Sequence, residues 1–412
     1  MRVLIVNTYS HIGSTGKISL NLYNYLKENG HDVILCTRGY PEDRVDDDKI
    51  VSLNTKFRYW AANIFVGLWG DESIAYPVET KKLKRIIIDF KPDVVQLYNL
   101  HDYYVNHTEL IQFLKIKKIP TVYSMLDEYA YTGKCRFALD CNKFIEKCGE
   151  CSTCKRNHVI ADYLFDWARK TQKKKEKAYK GFEKLCFTGP KWTVERAKSS
   201  YLLRDKTILE LEEPINYDDV FYPRNPCRLR SSLKIPHGVK IILMVGVAST
   251  ERKGGRYFMD LARKFENEKD YVFVFVGYDR NDWDIPKNMI TIGFVKDQNE
   301  LAEYYSLPDL FVCTSYGDST PAACTDAMGC GSPIAGFNIV GIPYCAEEPY
   351  GKFVKPFDID ELARVVREAP FKDESIVRNV REYAYKRYST KEVFKKQLNI
   401  YNSLIRNENN TI

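Results

Sequence analysis

No stretch of this sequence approaches the roughly 20 consecutive apolar residues that a membrane-spanning helix needs, so no such helix is expected. The opening run MRVLIVN is too short for the apolar core of a signal peptide, and no small-residue cleavage site follows it. The cytoplasm is the expected compartment. Charge of one sign is not in large excess either, since 62 Lys and Arg against 55 Asp and Glu leave +7. That balance suits an anionic ligand or surface and does not point to nucleic acid. A complete Walker phosphate loop is also missing. In NTYSHIGSTGKIS (residues 7–19), counting back from Gly16 and Lys17 puts His11 where the first glycine belongs. Ile18 stands where a Mg²⁺-binding hydroxyl belongs. A triphosphatase of the Gly-x-x-x-x-Gly-Lys-Ser/Thr type is thereby excluded.

What is present is a soluble, globular composition, 44% apolar and 28% charged, over 412 residues. That length exceeds one ordinary core, so two domains are expected. In the first half, residues 3–6 and 33–36 and the segments KPDVVQLYN and IPTVYSML read as buried strands. A helix after Gly16 carries Ile18, Leu22, Tyr25 and Leu26 on one face. A second series begins near Lys240, with KIILMVGV, YVFVFVG, MITIGF, DLFVCTS and SPIAGF as strands. Strands alternating with helices predict parallel sheets wrapped by helices. The reading is two doubly wound domains, 1–213 and 227–384, joined by a linker at 214–226. Residues 385–412 form a C-terminal helix and tail that returns to the first domain or stays with the second. The helix starts at a capping box, Ser389 with Glu392. Ligands are expected between the domains, at the carboxyl ends of the strands.

Twelve cysteines are many for such a chain, and five of them are Cys135, Cys141, Cys148, Cys151 and Cys154. The run CGECSTC overlays two Cys-x-x-Cys pairs, a spacing that lets both sulfurs reach one tetrahedral ion. In this Cys-rich insertion (about 132–160) a structural zinc, an iron–sulfur cluster and reduced thiols without metal all remain open. The basic tract RKTQKKKEKAYK (169–180) reads either as a helix lying on anionic lipid or as a solvated helix face.

The densest chemistry lies in CTSYGDSTPAACTDAMGCGSPIAGFNIVGIP (313–343). A polar loop carries Asp318, and a helix is predicted to start near Pro321, where a missing N–H costs nothing. Free amides at such a start favour an anion. Asp326 follows eight residues after Asp318. Carboxylates so placed can accept sugar hydroxyls.

This stretch resembles the signature of retaining glycosyltransferases of family 4, which have the GT-B fold. There a carboxylate, seven residues and a second carboxylate precede Ala-Met-x-x-Gly-x-Pro. The flanking GFVKDQNELAEYYSLPDLFVCTS and FNIVGIPYCAEEPYGKFVKPFDIDELA resemble the family too. The resemblance implies that Asp318 contacts the donor sugar and Asp326 the nucleotide ribose, with Asp at both positions where the family usually has Glu. Around them Ser319, Thr320 and Ala322 are implied in donor binding. In VGVASTERKGGRY, with Gly246, it implies Arg252 and Lys253 as the groups that neutralise the departing diphosphate. The family arginine after the first glycine is Val247 here. Phe294 and Val295 fall where backbone groups recognise the base. VVQLYNLHDYYVN and TVYSMLDEYAYTGKC resemble a bacterial capsular and exopolysaccharide branch. That likeness implies Asn99, His101 and Asp127 on the acceptor side, with Leu126 and Tyr129 replacing the branch's His and Trp. The same branch keeps four cysteines matching Cys135, Cys141, Cys148 and Cys151, so a structural zinc is implied there, with Cys154 as an alternative ligand.

The implied activity is sugar transfer, with retention, from a UDP- or GDP-sugar to a hydroxyl of a lipid-linked surface glycan. It needs no metal for the chemistry, and works in the cytoplasm or at the inner membrane face. A catalytically silent nucleotide- or glycan-binding protein is the alternative. The opening loop becomes one half of a donor clamp, with Gly13, Gly16 and Lys17 near the diphosphate.

Overall fold

The computed structural model of the chain describes residues 1–39, 43, 45–55, 76–101, 104–138, 141–151 and 167–406. Two compact units divide it, residues 1–213 with 394–412, and residues 214–393.

In the first unit seven strands lie parallel: β1 (Arg2–Val6), β2 (Asp32–Thr37), β3 (Ile50–Ser52), β4 (Val94–Leu97), β5 (Thr121–Ser124), β6 (Leu185–Gly189) and β7 (Thr207–Glu210). Their order is β3-β2-β1-β4-β5-β6-β7. Parallel strands are covered on both faces by their crossover helices, so the central ones read as unbroken apolar runs. Val94, Val95 and Leu97 of β4 are fully buried accordingly. Among the described residues the helices are α1 (Gly13–Glu28), α2 (Pro77–Phe90), α3 (His107–Ile116), α4 (Trp167–Tyr179) and α5 (Lys191–Ser199).

The second unit has six parallel strands: β8 (Lys240–Val245), β9 (Tyr271–Val276), β10 (Met289–Ile292), β11 (Leu310–Cys313), β12 (Ile334–Phe337) and β13 (Gly351–Val354). Their order is β10-β9-β8-β11-β12-β13. Helices α6 (Cys227–Ser232), α7 (Gly255–Arg263), α8 (Gln298–Ser306), α9 (Ala322–Gly329), α10 (Ile359–Glu368) and α11 (Glu374–Tyr388) surround it. Chain order reverses at β1 in one sheet and at β8 in the other. At such reversals the loops on neighbouring strands diverge to opposite faces and leave a crevice at the carboxyl ends.

The last helix, α12 (Thr390–Arg406), opens at the expected cap, where the Ser389 hydroxyl oxygen accepts the Glu392 N–H at 3.3 Å. From Phe394 its residues belong to the first unit. A buried polar network seats it there. The Gln96 carbonyl oxygen accepts from the Gln397 amide and the Tyr401 hydroxyl, both at 2.8 Å, and the Gln96 amide donates to Ser124 at 2.9 Å. Every member is satisfied, which is what makes a buried polar group tolerable.

Candidate functional site

In the second unit the loops after β8 and β11 flank the chain-order reversal, and they are packed on each other. Gly254, at φ 73°, comes so close to β11 that a Cβ there would lie 1.9 Å from the Thr314 carbonyl oxygen. The Thr314 hydroxyl donates to the Gly254 carbonyl at 2.9 Å, and the Tyr316 N–H donates to the Arg252 carbonyl at 2.9 Å. This stitching brings Arg252, Lys253 and Asp318 together. The Lys253 ammonium donates to one Asp318 oxygen at 2.9 Å, and the Arg252 guanidinium donates to the other. The Ser315 hydroxyl also reaches Asp318, at 2.6 Å. Burial pushes the Asp318 carboxyl pKa up, but Lys253, Arg252 and Ser315 outweigh this and hold it below its ordinary value. Behind it, Gly341 donates its N–H to the Asp318 carbonyl at 3.1 Å. A Cβ on Gly341 would meet the Ser319 carbonyl oxygen at 1.5 Å, so only glycine lets the two loops touch.

The other second-unit candidates take different places. Helix α9 begins at Ala322 with Pro321 as its N-cap, next to Ser319 and Thr320. Asp326 lies inside that helix, 8% exposed, and its charge adds to what burial does to the Tyr217 and Tyr305 phenols. A Cβ on Gly246 would lie 3.6 Å from the Lys253 Cβ, and a Cβ on Gly277 would meet the Gly246 carbonyl oxygen at 2.5 Å. Phe294 is 69% exposed just past β10, and Val295 is packed against the core.

In the first unit the opening loop is closed on itself. The Asn7 amide donates to the Tyr9 and Thr15 carbonyls at 3.0 and 2.9 Å. A Cβ on Gly16 would lie 2.9 Å from the His11 carbonyl carbon, so that glycine serves the loop's own packing. Gly13 supplies the left-handed turn at φ 68°, and Lys17 is exposed. The anion cradle has an occupant that sequence reasoning missed, the carboxylate of Asp43. It accepts the N–H groups of Ser10, His11 and Ile12 at 2.5, 2.9 and 3.1 Å. Asp43 stands in an acidic run some thirty residues downstream, and no spacing rule links the two.

After β4 and β5, His101 and Asp127 form a buried pair, imidazole Nε2 to carboxylate at 2.5 Å. Asp127 also accepts the Tyr129 N–H at 2.9 Å, and the Tyr129 ring sits edge-on between His101 and His107. The Asn99 carbonyl accepts from the Thr8 and Tyr104 hydroxyls at 3.1 and 2.7 Å, which ties the β1 and β4 loops together.

A second residue missed from sequence is Lys175. It lies in the basic tract, yet it is fully buried. Its ammonium donates to the carbonyls of Tyr129, Thr132 and Gly133 at 2.5, 3.1 and 3.3 Å. Lys175 is therefore a clasp on the 129–133 loop and not a membrane-facing charge. The outward charges of α4 are Arg169, Lys170, Lys173 and Lys177.

The cysteine segment is described as far as Cys151, and Cys154 lies outside the described residues. Cys141 and Cys148 are free thiols. Cys148 is buried, accepts the Gly133 N–H at 3.1 Å, and its thiol is pushed up to about 11, chiefly by burial. The Cys151 thiol reaches the Gly149 carbonyl at 3.4 Å. Among the described residues, no three Cys, His, Asp or Glu side chains come together to hold a metal ion.

Residues 228–387 match the family described as Glycosyl transferases group 1. No curated protein sequence matches the chain. Among solved structures it is similar to a glycosyltransferase from Rickettsia africae ESF-5, at 15% identity and TM-score 0.68 over 98% of this chain and 99% of that one. It is also similar to sucrose-phosphate synthase from Thermosynechococcus elongatus, at 14% identity and TM-score 0.66 over 99% and 100%. A third is Anabaena HepE in complex with UDP-glucose, at 11% identity and TM-score 0.63 over 98% and 100%. The fold is GT-B, with two Rossmann-like domains, and the family match in the second unit supports a glycosyltransferase.

Proposed function

We propose that the chain transfers a sugar from a nucleoside-diphosphate donor to a hydroxyl of a surface glycan, with retention at the anomeric carbon. The observation that carries this reading is the Arg252, Lys253 and Asp318 trio at the carboxyl ends of β8 and β11. Binding of UDP-glucose by the structurally similar HepE supports a UDP-sugar as the donor. As the acceptor oxygen bonds to the anomeric carbon, the bond from that carbon to the diphosphate oxygen breaks. The electron pair stays on the diphosphate, and the acceptor's proton passes to its leaving oxygen. Negative charge therefore grows on the diphosphate, and fixed cations at that place stabilise the transition state more than the ground state. Arg252 and Lys253 take that task, so no step is assigned to a metal. Asp318 then accepts hydroxyls of the donor sugar. His101 with Asp127 is assigned to an acceptor hydroxyl, and the outward lysines of α4 to an anionic membrane surface.

The test is hydrolysis or transfer of UDP-glucose and GDP-sugars by the purified chain. Asp318→Ala is expected to lower kcat by about a hundredfold or more. Binding of nucleotide sugars with no turnover across the donor panel would sink the enzyme reading and leave a silent binding protein.

A further inference from the structure

We propose that Phe357, with Tyr257 and Tyr316, forms a platform on which a pyranose ring of the glycan substrate stacks. The identity of that saccharide rests on the glycosyltransferase reading, but the platform rests on its own geometry. Past β13 the chain turns through Lys355, Pro356, Phe357 and Asp358, closed by the Asp358 N–H donating to the Lys355 carbonyl at 3.1 Å. Phe357 occupies the third place with φ 66°. Proline second and positive φ third describe a type II turn, which calls for glycine or asparagine third. A bulky side chain there is strained and persists only where its surroundings impose it. Asp358 imposes it from one side, because its carboxylate caps α10 by accepting the Glu361 N–H at 2.9 Å.

Burial does not account for the phenylalanine, which is 46% exposed. Its ring instead completes an aromatic cluster, with centroids 5.1 Å from Tyr257, 5.6 Å from Phe337 and 5.9 Å from Tyr316. Phe337 is fully buried and forms the floor, while the two tyrosines are half-buried. The cluster adjoins the candidate site, since Tyr316 donates its N–H to the Arg252 carbonyl and precedes Asp318 by two residues.

The chemistry of the surface selects its occupant. Aromatic faces carry negative quadrupolar charge, so they repel a phosphate and attract polarised C–H groups. A pyranose offers one C–H face and a rim of hydroxyls. The Asp318 loop adjoins the rings through Tyr316 and suits that rim.

Saturation-transfer NMR on the full chain tests this, with methyl β-D-glucopyranoside, methyl β-D-galactopyranoside and N-acetylglucosamine as probes. Saturation is expected to be strongest on the protons of one ring face. Phe357→Gly, which restores the residue this turn prefers, and Phe357→Leu, which keeps bulk without a π face, should each reduce it by about fivefold or more. Both variants are to be checked for a cooperative thermal melt; should the glycine variant fail to fold, the leucine variant decides alone. No saturation with any probe, or saturation unchanged in the folded variants, overturns the platform. Hydrolysis of UDP-glucose by the wild type is scored separately. Pyranoside binding without turnover of any nucleotide sugar keeps the platform and removes the transferase reading, whereas turnover without pyranoside binding removes the platform alone.

Discussion

Asp318 is held ionised by the two cations that the proposed mechanism needs for phosphate. Its lowered pKa means that its contribution to stability is present above the ordinary carboxylate range and is lost only as pH falls through the lowered value. The pH profile of turnover is therefore expected to show no acidic limb from this group above about pH 4. The same ion pairs must loosen before a diphosphate can take Arg252 and Lys253. Asp318→Asn is expected to tighten binding of UDP itself by about fivefold, read by calorimetry; weaker binding would place Asp318 on the nucleotide. His107 behaves in the opposite sense to a paired histidine. Burial, helped by the charges of Lys175 and Lys174, holds its pKa well below 6.5. The folded chain resists a proton that the unfolded chain accepts, so stability should fall as pH drops below about 6.5, by up to roughly 1.4 kcal/mol per pH unit. Urea unfolding at several pH values measures the slope, and His107→Gln should flatten it.

At the scale of elements, one helix face decides what each lysine of α4 does. Lys175 points inward onto three carbonyls, so Lys175→Met strands those acceptors and is expected to cost about 3 kcal/mol in denaturant unfolding. Lys173→Glu, two residues away and exposed, should change stability by no more than about 0.5 kcal/mol. Only the outward set can serve a membrane. Lys173→Glu with Lys177→Glu should reduce cosedimentation with phosphatidylglycerol vesicles, and unchanged binding would remove the membrane surface from the proposal. The seating of α12 follows similar logic. Gln96→Leu takes the acceptor from the Tyr401 hydroxyl and one of two from the Gln397 amide, and should destabilise by about 2 kcal/mol or more.

At the scale of the whole molecule, two parallel sheets each present a crevice where chain order reverses, and the chemistry is divided between them. The second unit carries the cation–carboxylate trio, and the first carries the His101–Asp127 pair. A nucleotide that binds the folded chain alone raises its melting temperature by mass action, about 2.7 kcal/mol of stability at a hundred times Kd. A thermal-shift comparison of UDP, GDP and ADP should single out one base, and equal shifts would mean that only the diphosphate is read. Elemental analysis bears on the cysteine segment in the same way. One zinc per chain is the outcome expected of a structural site on the Cys-x-x-Cys pairs, and finding neither zinc nor iron would remove the metal.

The two parallel sheets were legible in the sequence because buried parallel strands must be continuous apolar runs, as KIILMVGV and YVFVFVG are. Strands β3, β7 and β13 escaped that reading, being short edge strands whose half-exposed residues break the run. β6, LCFTG, is fully buried and also escaped it. The polar loop after a strand marked Asp318, and the family resemblance marked Arg252, Lys253, His101 and Asp127. What no local rule could supply was which groups meet. Asp43 fills an amide cradle that looked ready for a ligand, and Lys175 leaves a basic tract to hold a loop. Phe357 holds a position that favours glycine. Sequence alone determined the periodic burial and the inventory of reactive groups, since both are set within a few residues. Tertiary structure decided their partners, because a charge buried in a fold takes whichever opposite charge or hydrogen-bond acceptor the packing brings within 3 Å, however far along the chain it lies.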